Sequence, residues 1–329
     1  MTPAVERLVL ATDGSENAVR AADHALYLAG VFGAELHAVS AVGAPERTLA
    51  RLADSVRAKS AVEAEEAVAT VTRKALATDV PTKTTVVDGP PARVVTEAGS
   101  DADLLVVGRH GHTGLGRFLV GSVTERVLDD PPAPTLVVPA EADATPNYET
   151  IALLVDDSPV GRTAATTAVA VARATGAKLD PLAVVDDRFT DAPGLRRVLE
   201  EEARRLLKDV AVEAARAAVE STATVRTGVP AAELLDYADE TRADLVVVGT
   251  DASRSLDRHV ATGVARRIVR RTTVPVLVVP TKLATEKVSA DETRDVEHDT
   301  NTSGAEFSED SSNPEFSTKS DSVRRTEFE

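Results

Sequence analysis

The chain has 329 residues, of which 43% are hydrophobic, and a formal net charge of −16. This length predicts two globular domains, each large enough to bury its own core, while the acidic charge disfavours duplex nucleic acid and anionic membranes as partners. The sequence has no apolar run near the roughly 18 to 20 residues that span a bilayer, and no cysteine, which excludes disulfides and cysteine-bound metals.

Short apolar segments alternate with segments of helical periodicity in the first 140 residues. Helical spacing of apolar residues over 16–31 ends at Gly33, a residue type that commonly terminates helices. Apolar strands without polar alternation indicate a parallel sheet covered on both faces, and the strand–helix alternation indicates right-handed crossovers. The fold class is therefore α/β, Rossmann-like and doubly wound. The predicted strands are 7–12, 36–42, 84–87, 104–107 and 135–138, and the predicted helices are 16–31, 47–78, 92–98 and 123–128.

The second half of the sequence repeats the first. Ala102–Gly108 (ADLLVVG) recurs as Ala243–Gly249 (ADLVVVG), with six identities in seven positions. Several such segments keep their order and an offset of 139 to 143 residues, which chance similarity does not maintain. We therefore predict two domains of the same α/β unit, the first copy at residues 1–140 and the second copy at residues 149–280.

Residues 281–329 differ in composition and are rich in Ser, Thr, Asp and Glu. They carry 6 basic and 13 acidic residues, a net −7, which leaves −9 on residues 1–280. So little apolar surface does not offset the entropy of ordering a chain, and we predict a disordered acidic tail. Its three Glu-Phe pairs are compatible with docking to an unknown protein partner and also with a purely solvating tail.

The N-terminus and the cationic residues indicate the environment of the protein. The N-terminus runs directly into a strand-like segment, so we expect no secretory signal and a cytoplasmic location. Arg outnumbers Lys by 29 to 8. With the acidic charge, this favours a halophilic protein, whose self-repulsion is screened by salt. An ordinary acidic protein from a GC-rich genome is the alternative.

A glycine-rich loop follows the fourth predicted strand and leads into a helix. Gly108, Gly111 and Gly121 let backbone N–H groups face an anion without an intervening Cβ, and Ser122 begins a helix whose dipole favours phosphate. Doubly wound sheets bind ligands at this edge, so a nucleotide phosphate is indicated. A flexible turn that binds no ligand would have the same glycine-rich composition and is the alternative. The chain lacks both a Walker-type Gly-Lys-[Ser/Thr] and a Gly-x-Gly-x-x-Gly after its first strand.

The spacing Gly108-x2-Gly111-x9-Gly121-Ser122 resembles the Gly-x2-Gly-x9-Gly-Ser/Thr signature of ATP-binding universal stress proteins at every defined position. The strand ending in Thr12-Asp13 is also similar to that family, and the resemblance extends over both copies. It implies a five-stranded parallel sheet of order 3-2-1-4-5 with helices on both faces. It also implies pairing of domains through their last strands and binding of ATP, often with Mg2+ or Mn2+.

The resemblance further implies which residues contact the ligand. Ala11, Thr12 and Asp13 would line the adenosine side, and Ala41 would contact adenine. The ribose is assigned to Val107 and Gly108, and the phosphates are assigned to Gly111, Gly121, Ser122 and Val123. Asp13 is also the implied contact for a metal bound with ATP. A role for Asp13 as N-cap of the following helix stays open beside ligand binding.

The second copy departs from this signature. Aligned without gaps, its loop has Ala252 in place of Gly111 and Thr262 in place of Gly121, and Gly263 occupies the position of the serine. Side chains at 252 and 262 stand where the backbone must approach phosphate. We therefore expect weak or no ATP binding in this copy.

Together these patterns predict a tandem universal stress protein that binds ATP and acts in stress response or regulation, with no catalytic residue assigned. A slow metal-dependent ATP hydrolase and a nucleotide-free scaffold acting through protein partners are the alternatives. We expect the copies to form an intramolecular pseudo-dimer through 135–138 and 276–279, which closes two exposed sheet edges. A homodimer of whole chains stays open.

Overall fold

The computed structural model of the protein describes residues 5–43, 50–111, 119–186, 193–250 and 258–281, with the backbone alone described at 50–56, 193 and 258–262. The predicted tail, from residue 282 onward, lies outside these residues.

The described part of the first copy alternates strands and helices as predicted. Its strands are β1 (Arg7–Ala11), β2 (Glu35–Val42), β3 (Thr82–Asp88), β4 (Leu104–Gly108) and β5 (Thr135–Val138). Its helices are α1 (Glu16–Phe32), α2 (Ala50–Ala75), α3 (Pro91–Ser100) and α4 (Ser122–Asp129). The Ser15 hydroxyl accepts the Ala18 N–H and caps α1, and Gly33 ends that helix with a φ of 68°, a left-handed conformation that favours glycine.

The second copy repeats the same alternation over its described residues. Its strands are β6 (Thr150–Val155), β7 (Lys178–Val185), β8 (Thr224–Thr227), β9 (Leu245–Thr250) and β10 (Val276–Pro280). Its helices are α5 (Pro159–Thr175), α6 (Pro193–Arg216), α7 (Pro230–Thr241) and α8 (Arg258–Arg271).

The long helix α2 ends at Ala75, three residues before the end that its amphipathic pattern predicts. The Thr78 N–H donates to the Ala75 carbonyl at 3.0 Å, and the Thr78 hydroxyl donates to the same oxygen at 3.0 Å. Asp79 then adopts a left-handed φ of 54°. The backbone therefore tightens and turns toward β3, although the apolar periodicity continues beyond the last helical residue.

All ten strands form one sheet in the order β3-β2-β1-β4-β5-β10-β9-β6-β7-β8. Within each copy the order is 3-2-1-4-5 and the pairs are parallel, as the resemblance implied. The copies join where β5 pairs antiparallel with β10, and Leu136 lies opposite Leu277. These two leucines occupy equivalent positions in the repeat, so the copies are related by a pseudo-two-fold axis at this seam. The two predicted five-stranded sheets are thus continuous, and the predicted edge pairing is the contact that joins them.

The repeated Ala-Asp-Leu segment anchors each sheet at its amino end. The Asp103 carboxylate accepts the N–H groups of Glu6 and Arg7 at 2.9 and 3.0 Å. In the second copy, Asp244 accepts those of Glu149 and Thr150, both at 2.9 Å. Each aspartate therefore fixes the start of the first strand of its copy against the start of the fourth.

Side chains from the strands alternate between two apolar layers, one on each face of the sheet. One layer includes Leu10 and Leu153 and packs against α1, α2, α5 and α6, and the other includes Val9 and Val246 and packs against α3, α4, α7 and α8. This is the parallel, doubly covered sheet that continuous apolar strands predict. Among the described helices, none is both long and apolar enough to cross a membrane.

Candidate functional site

A cavity of about 260 Å³ lies at the carboxyl ends of β1, β2 and β4, beside the amino ends of α3 and α4. This is the edge at which doubly wound sheets bind ligands, and the volume is close to the lower end of the roughly 300–1,000 Å³ typical of small-molecule pockets. Every residue that the resemblance assigned to ligand binding lines this cavity: Ala11, Thr12, Asp13, Ala41, Val107, Gly108, Gly111, Gly121, Ser122 and Val123. The cavity is also lined by Ala18, Val39, Pro91, Val95, His110 and Thr124, to which the resemblance had assigned no ligand contact.

The cavity has an apolar end and a polar end. Alanine and valine side chains from β1, β2 and β4 face Pro91 and Val95 of α3 at the apolar end. At the polar end, Ser122, Val123 and Thr124 form the first turn of α4, and the N-cap residue Gly121 has no side chain that could cap this helix. The first N–H groups of a helix lack intrahelical partners and favour an anion. The cavity thus suits a molecule with one apolar and one anionic part.

The three loop glycines differ in how far packing explains the absence of a side chain. A Cβ on Gly108 would stand 3.2 Å from the Asn17 side-chain oxygen, so this glycine allows β4 to pack closely against α1. A Cβ on Gly111 would collide with the carboxylate of Asp13. A Cβ on Gly121 would stand 3.4 Å from the Arg109 carbonyl, an ordinary contact distance. Packing within the described residues therefore explains Gly108, whereas the collision at Gly111 involves only the end of the Asp13 side chain, and Gly121 is left unexplained.

Asp13 does not cap α1, because Ser15 occupies the N-cap position and its hydroxyl makes the capping bond. The alternative N-cap role for Asp13 is therefore wrong. Asp13 Oδ1 accepts the Ser15 N–H at 3.0 Å, which fixes the turn between β1 and α1. The carboxylate lies against Gly111 in the cavity wall.

Asn17 holds the loop in place, and the sequence analysis missed it. This residue lies on the first turn of α1 and is buried. Its Oδ1 accepts the His110 N–H at 2.8 Å, and its Nδ2 donates to the Val138 carbonyl at 3.0 Å. A single amide side chain thus joins the loop after β4 to the end of β5. A comparison of the two copies could have identified Asn17, because the matching position of the second copy has an apolar residue, Val160.

Arg109 is the second residue that the sequence analysis missed. Its side chain is 2% exposed and leaves the loop toward the second copy. Its guanidinium donates to the Thr272 carbonyl at 2.7 Å and the Val269 carbonyl at 3.4 Å, at the carboxyl end of α8, and pairs with Glu141 at 2.7 Å. Burial, and then the neighbouring Arg109 charge, lower the pKa of His110 below its ordinary value, which favours the neutral ring.

The universal stress protein family model matches residues 4–139 and, a second time, residues 147–280. The chain belongs to the universal stress protein family.

Similar proteins include other universal stress proteins. A universal stress protein of Methanocaldococcus jannaschii is 36% identical over 141 residues, which is 40% of this chain and 81% of that protein. One of Thermus aquaticus is 33% identical over 135 residues, which is 40% of this chain and 96% of that protein. A solved universal stress protein of Archaeoglobus fulgidus superposes with a TM-score of 0.67 at 20% identity, covering 84% of this chain and 98% of that one. At that identity the likeness shows the fold alone.

The second universal stress protein domain differs at the corresponding edge. Ala252 and the side chain of Thr262, on which the expectation of weak binding rests, lie outside the described residues. The backbone shows that α8 begins at Arg258, so position 262 lies inside a helix, whereas its counterpart Gly121 precedes one. Val160 also lacks the amide by which Asn17 holds the loop of the first copy.

Proposed function

We propose that the first copy binds a nucleotide, ATP according to the loop pattern, and that the protein is a nucleotide-dependent regulator in a cytoplasmic stress response. The base and ribose would occupy the apolar end of the cavity, between the sheet and α3. The phosphates would lie against Gly111 and the first turn of α4, where N–H groups favour negative charge.

Gly121 is the observation that carries the proposal. Its φ of −66° and ψ of 150° are open to any residue, and a Cβ would make only ordinary contacts at 3.4 to 3.6 Å. Ser, Asp or Asn at this N-cap position would also stabilise α4 more than glycine does. Packing among the residues that the structure describes therefore gives no reason for a glycine here. A ligand that approaches the backbone gives one, because any side chain would occupy part of its space.

A divalent metal fits this site only as a companion of the nucleotide. The described residues contain no group of three or more metal-ligating side chains, while Asp13 supplies one carboxylate in the cavity wall. Mg2+ is commonly held by one or two carboxylates together with substrate phosphates. When bound with ATP, such an ion would neutralise phosphate charge next to Asp13.

Isothermal titration calorimetry of the full chain with Mg2+-ATP tests the proposal. We expect one site per chain in the wild type. Gly121→Ala should bind at least about tenfold more weakly, equivalent to roughly 1.4 kcal/mol, and should keep the wild-type melting temperature. Gly121→Val should show no measurable binding. Thr262→Val places the same side chain at the matching position of the second copy and should leave both the affinity and the stoichiometry unchanged.

Three results would redirect the assignment. A folded Gly121→Val that binds ATP like the wild type would refute the site, and a wild type that binds no nucleotide would favour the scaffold alternative. Metal-dependent release of ADP above the blank would identify slow hydrolysis in place of pure binding.

A further inference from the structure

Two ion pairs cross the seam between the copies beside β5 and β10. Arg270 of α8 contacts Glu125 of α4 at 2.9 Å, and Arg266 of α8 contacts Asp129 of α4. All four side chains are partly exposed, between 34% and 55%. Exposed ion pairs contribute little net stability, so these contacts are weak as a reason for the copies to associate.

The four charged residues occupy only two positions of the repeat. In the register that aligns Gly108 with Gly249, Arg266 matches Glu125, and Arg270 matches Asp129. The buried residues between them match in character, since Val127 corresponds to Ile268 and Leu128 to Val269. The helices are therefore alike on their core face and opposite in charge on the face that meets the other copy.

The pseudo-two-fold axis determines which charges would meet if two first copies, or two second copies, paired through this seam. Because Leu136 pairs with its own counterpart Leu277, each helix presents its first charged position to the second charged position of the other helix. Two first copies paired in this geometry would set Glu125 against Asp129 twice. Two second copies would set Arg266 against Arg270 twice. Only the unlike pair brings opposite charges together.

Arg109 adds a contact that only the first copy provides. Its buried guanidinium donates to carbonyls at the end of α8, and the matching residue of the second copy is Thr250, which carries no charge. Pairing of two second copies would therefore lack this contact as well as the opposite charges.

We propose that the α4–β5 surface of the first copy selects its partner by charge. It accepts a universal stress protein edge that carries arginines four residues apart on its last helix, and it rejects a second copy of itself. Glu125, Asp129, Arg266 and Arg270 are the specificity-determining residues. The selection works mainly by repulsion between like copies, as in other interfaces that reject a wrong partner, and it is independent of nucleotide binding.

Charge reversal in the full chain tests the proposal through thermal melts at low salt. One variant, Glu125→Arg with Asp129→Arg, makes all four positions basic, and a second, Arg266→Glu with Arg270→Glu, makes all four acidic. A third variant combines the four changes and exchanges the charges between the helices. We expect the first two to melt about 2 to 5 °C below the wild type, in line with the shift for roughly 1 to 2 kcal/mol in a domain pair of this size. The exchanged variant should return to within about 1 °C of the wild type, and the differences should vanish at about 1 M salt, where the screening length is near 3 Å.

The basic variant separates this proposal from a general charge effect. It makes the net charge of −16 less negative, so global repulsion alone would raise its melting temperature, whereas repulsion at the seam lowers it. Arg126→Glu with Arg267→Glu is the matched control, because these exposed residues occupy equivalent positions on the same two helices and change the net charge as much as the acidic variant does. The proposal requires this control to lose less stability than the acidic variant. A basic variant as stable as the wild type, or an exchanged variant that shows the sum of both losses, would overturn it.

Discussion

Acidification should destabilise the protein through one buried histidine. His24 in α1 is 1% exposed. Its Nε2 lies 3.0 Å from the Asp143 carbonyl, and its Nδ1 lies 2.7 Å from the Tyr148 hydroxyl. A carbonyl only accepts, so Nε2 carries the proton and Nδ1 accepts from the tyrosine. The neutral ring therefore satisfies both partners and fixes the segment between the copies onto α1.

Burial lowers the pKa of His24 from 6.5 to about 4, against the opposing effect of the Asp143 carbonyl. Above pH 6.5 the ring is neutral in both the folded and the unfolded chain. As the pH falls from 6.5 toward 4, the unfolded chain takes up a proton that the folded protein does not, so stability present at neutral pH is lost. This linkage amounts to about 3 kcal/mol by pH 4, a large part of the roughly 5–15 kcal/mol typical of folded proteins.

Urea unfolding of the wild type and His24→Asn between pH 7.5 and 4.5 measures this effect. We expect the variant to be less stable at pH 7.5, because packing and the tyrosine bond are weakened, and to lose less stability on acidification. The gap between the two curves should therefore narrow by about 2 kcal/mol at pH 4.5. His37→Asn is the control, since burial lowers the pKa of His37 too, but that ring lies in a more exposed site. Parallel curves for wild type and His24→Asn would refute the reasoning.

Two further predictions concern the loop and the surface. Asn17→Val should weaken ATP binding by about tenfold or more, because it leaves the His110 N–H without its acceptor. Calorimetry should show no such loss in Val160→Asn, the reverse change in the second copy. The melting temperature should rise with KCl, since residues 1–280 carry a net −9 and about 1 M salt shortens the screening length to about 3 Å. A melting temperature that stays flat or falls would argue against a halophilic protein.

Patterns of chain order and polarity predicted the fold class and the duplication, but not the order of the strands. The duplication, the apolar strands and the alternation with helices led to two copies of one doubly wound unit, and family resemblance supplied the strand order. Pairing of the two copies through their last strands was predicted because a strand at an open sheet edge needs a partner. In the structure β5 pairs with β10. The predicted site residues share one cavity because the ends of neighbouring parallel strands converge.

Residues whose importance depends on distant partners were not visible in the sequence. Asn17 looks like an ordinary first-turn residue until its amide is seen between His110 and Val138, which lie 93 and 121 positions away. Arg109 looks like a solvated loop residue, but its partners Val269 and Thr272 lie in the other copy. No local pattern encodes such contacts. Only the comparison of matched positions in the two copies carries a trace of them.

The differences between the copies lie where the shared core does not constrain the sequence. Positions inside the sheet and under the helices keep their apolar character, since both copies must fill the same layers. Charge and hydrogen-bonding capacity change instead at the carboxyl edge and along the seam, as at Asn17 and Val160 or Glu125 and Arg266. Such positions determine what each copy presents at its ligand edge or to the other copy. The first copy has an anchored loop and acidic residues at the seam. The second copy has basic residues at the seam and a helix, α8, that includes position 262, the counterpart of Gly121. Acidic residues of the first copy therefore face basic residues of the second, and two like copies would lack this complementarity.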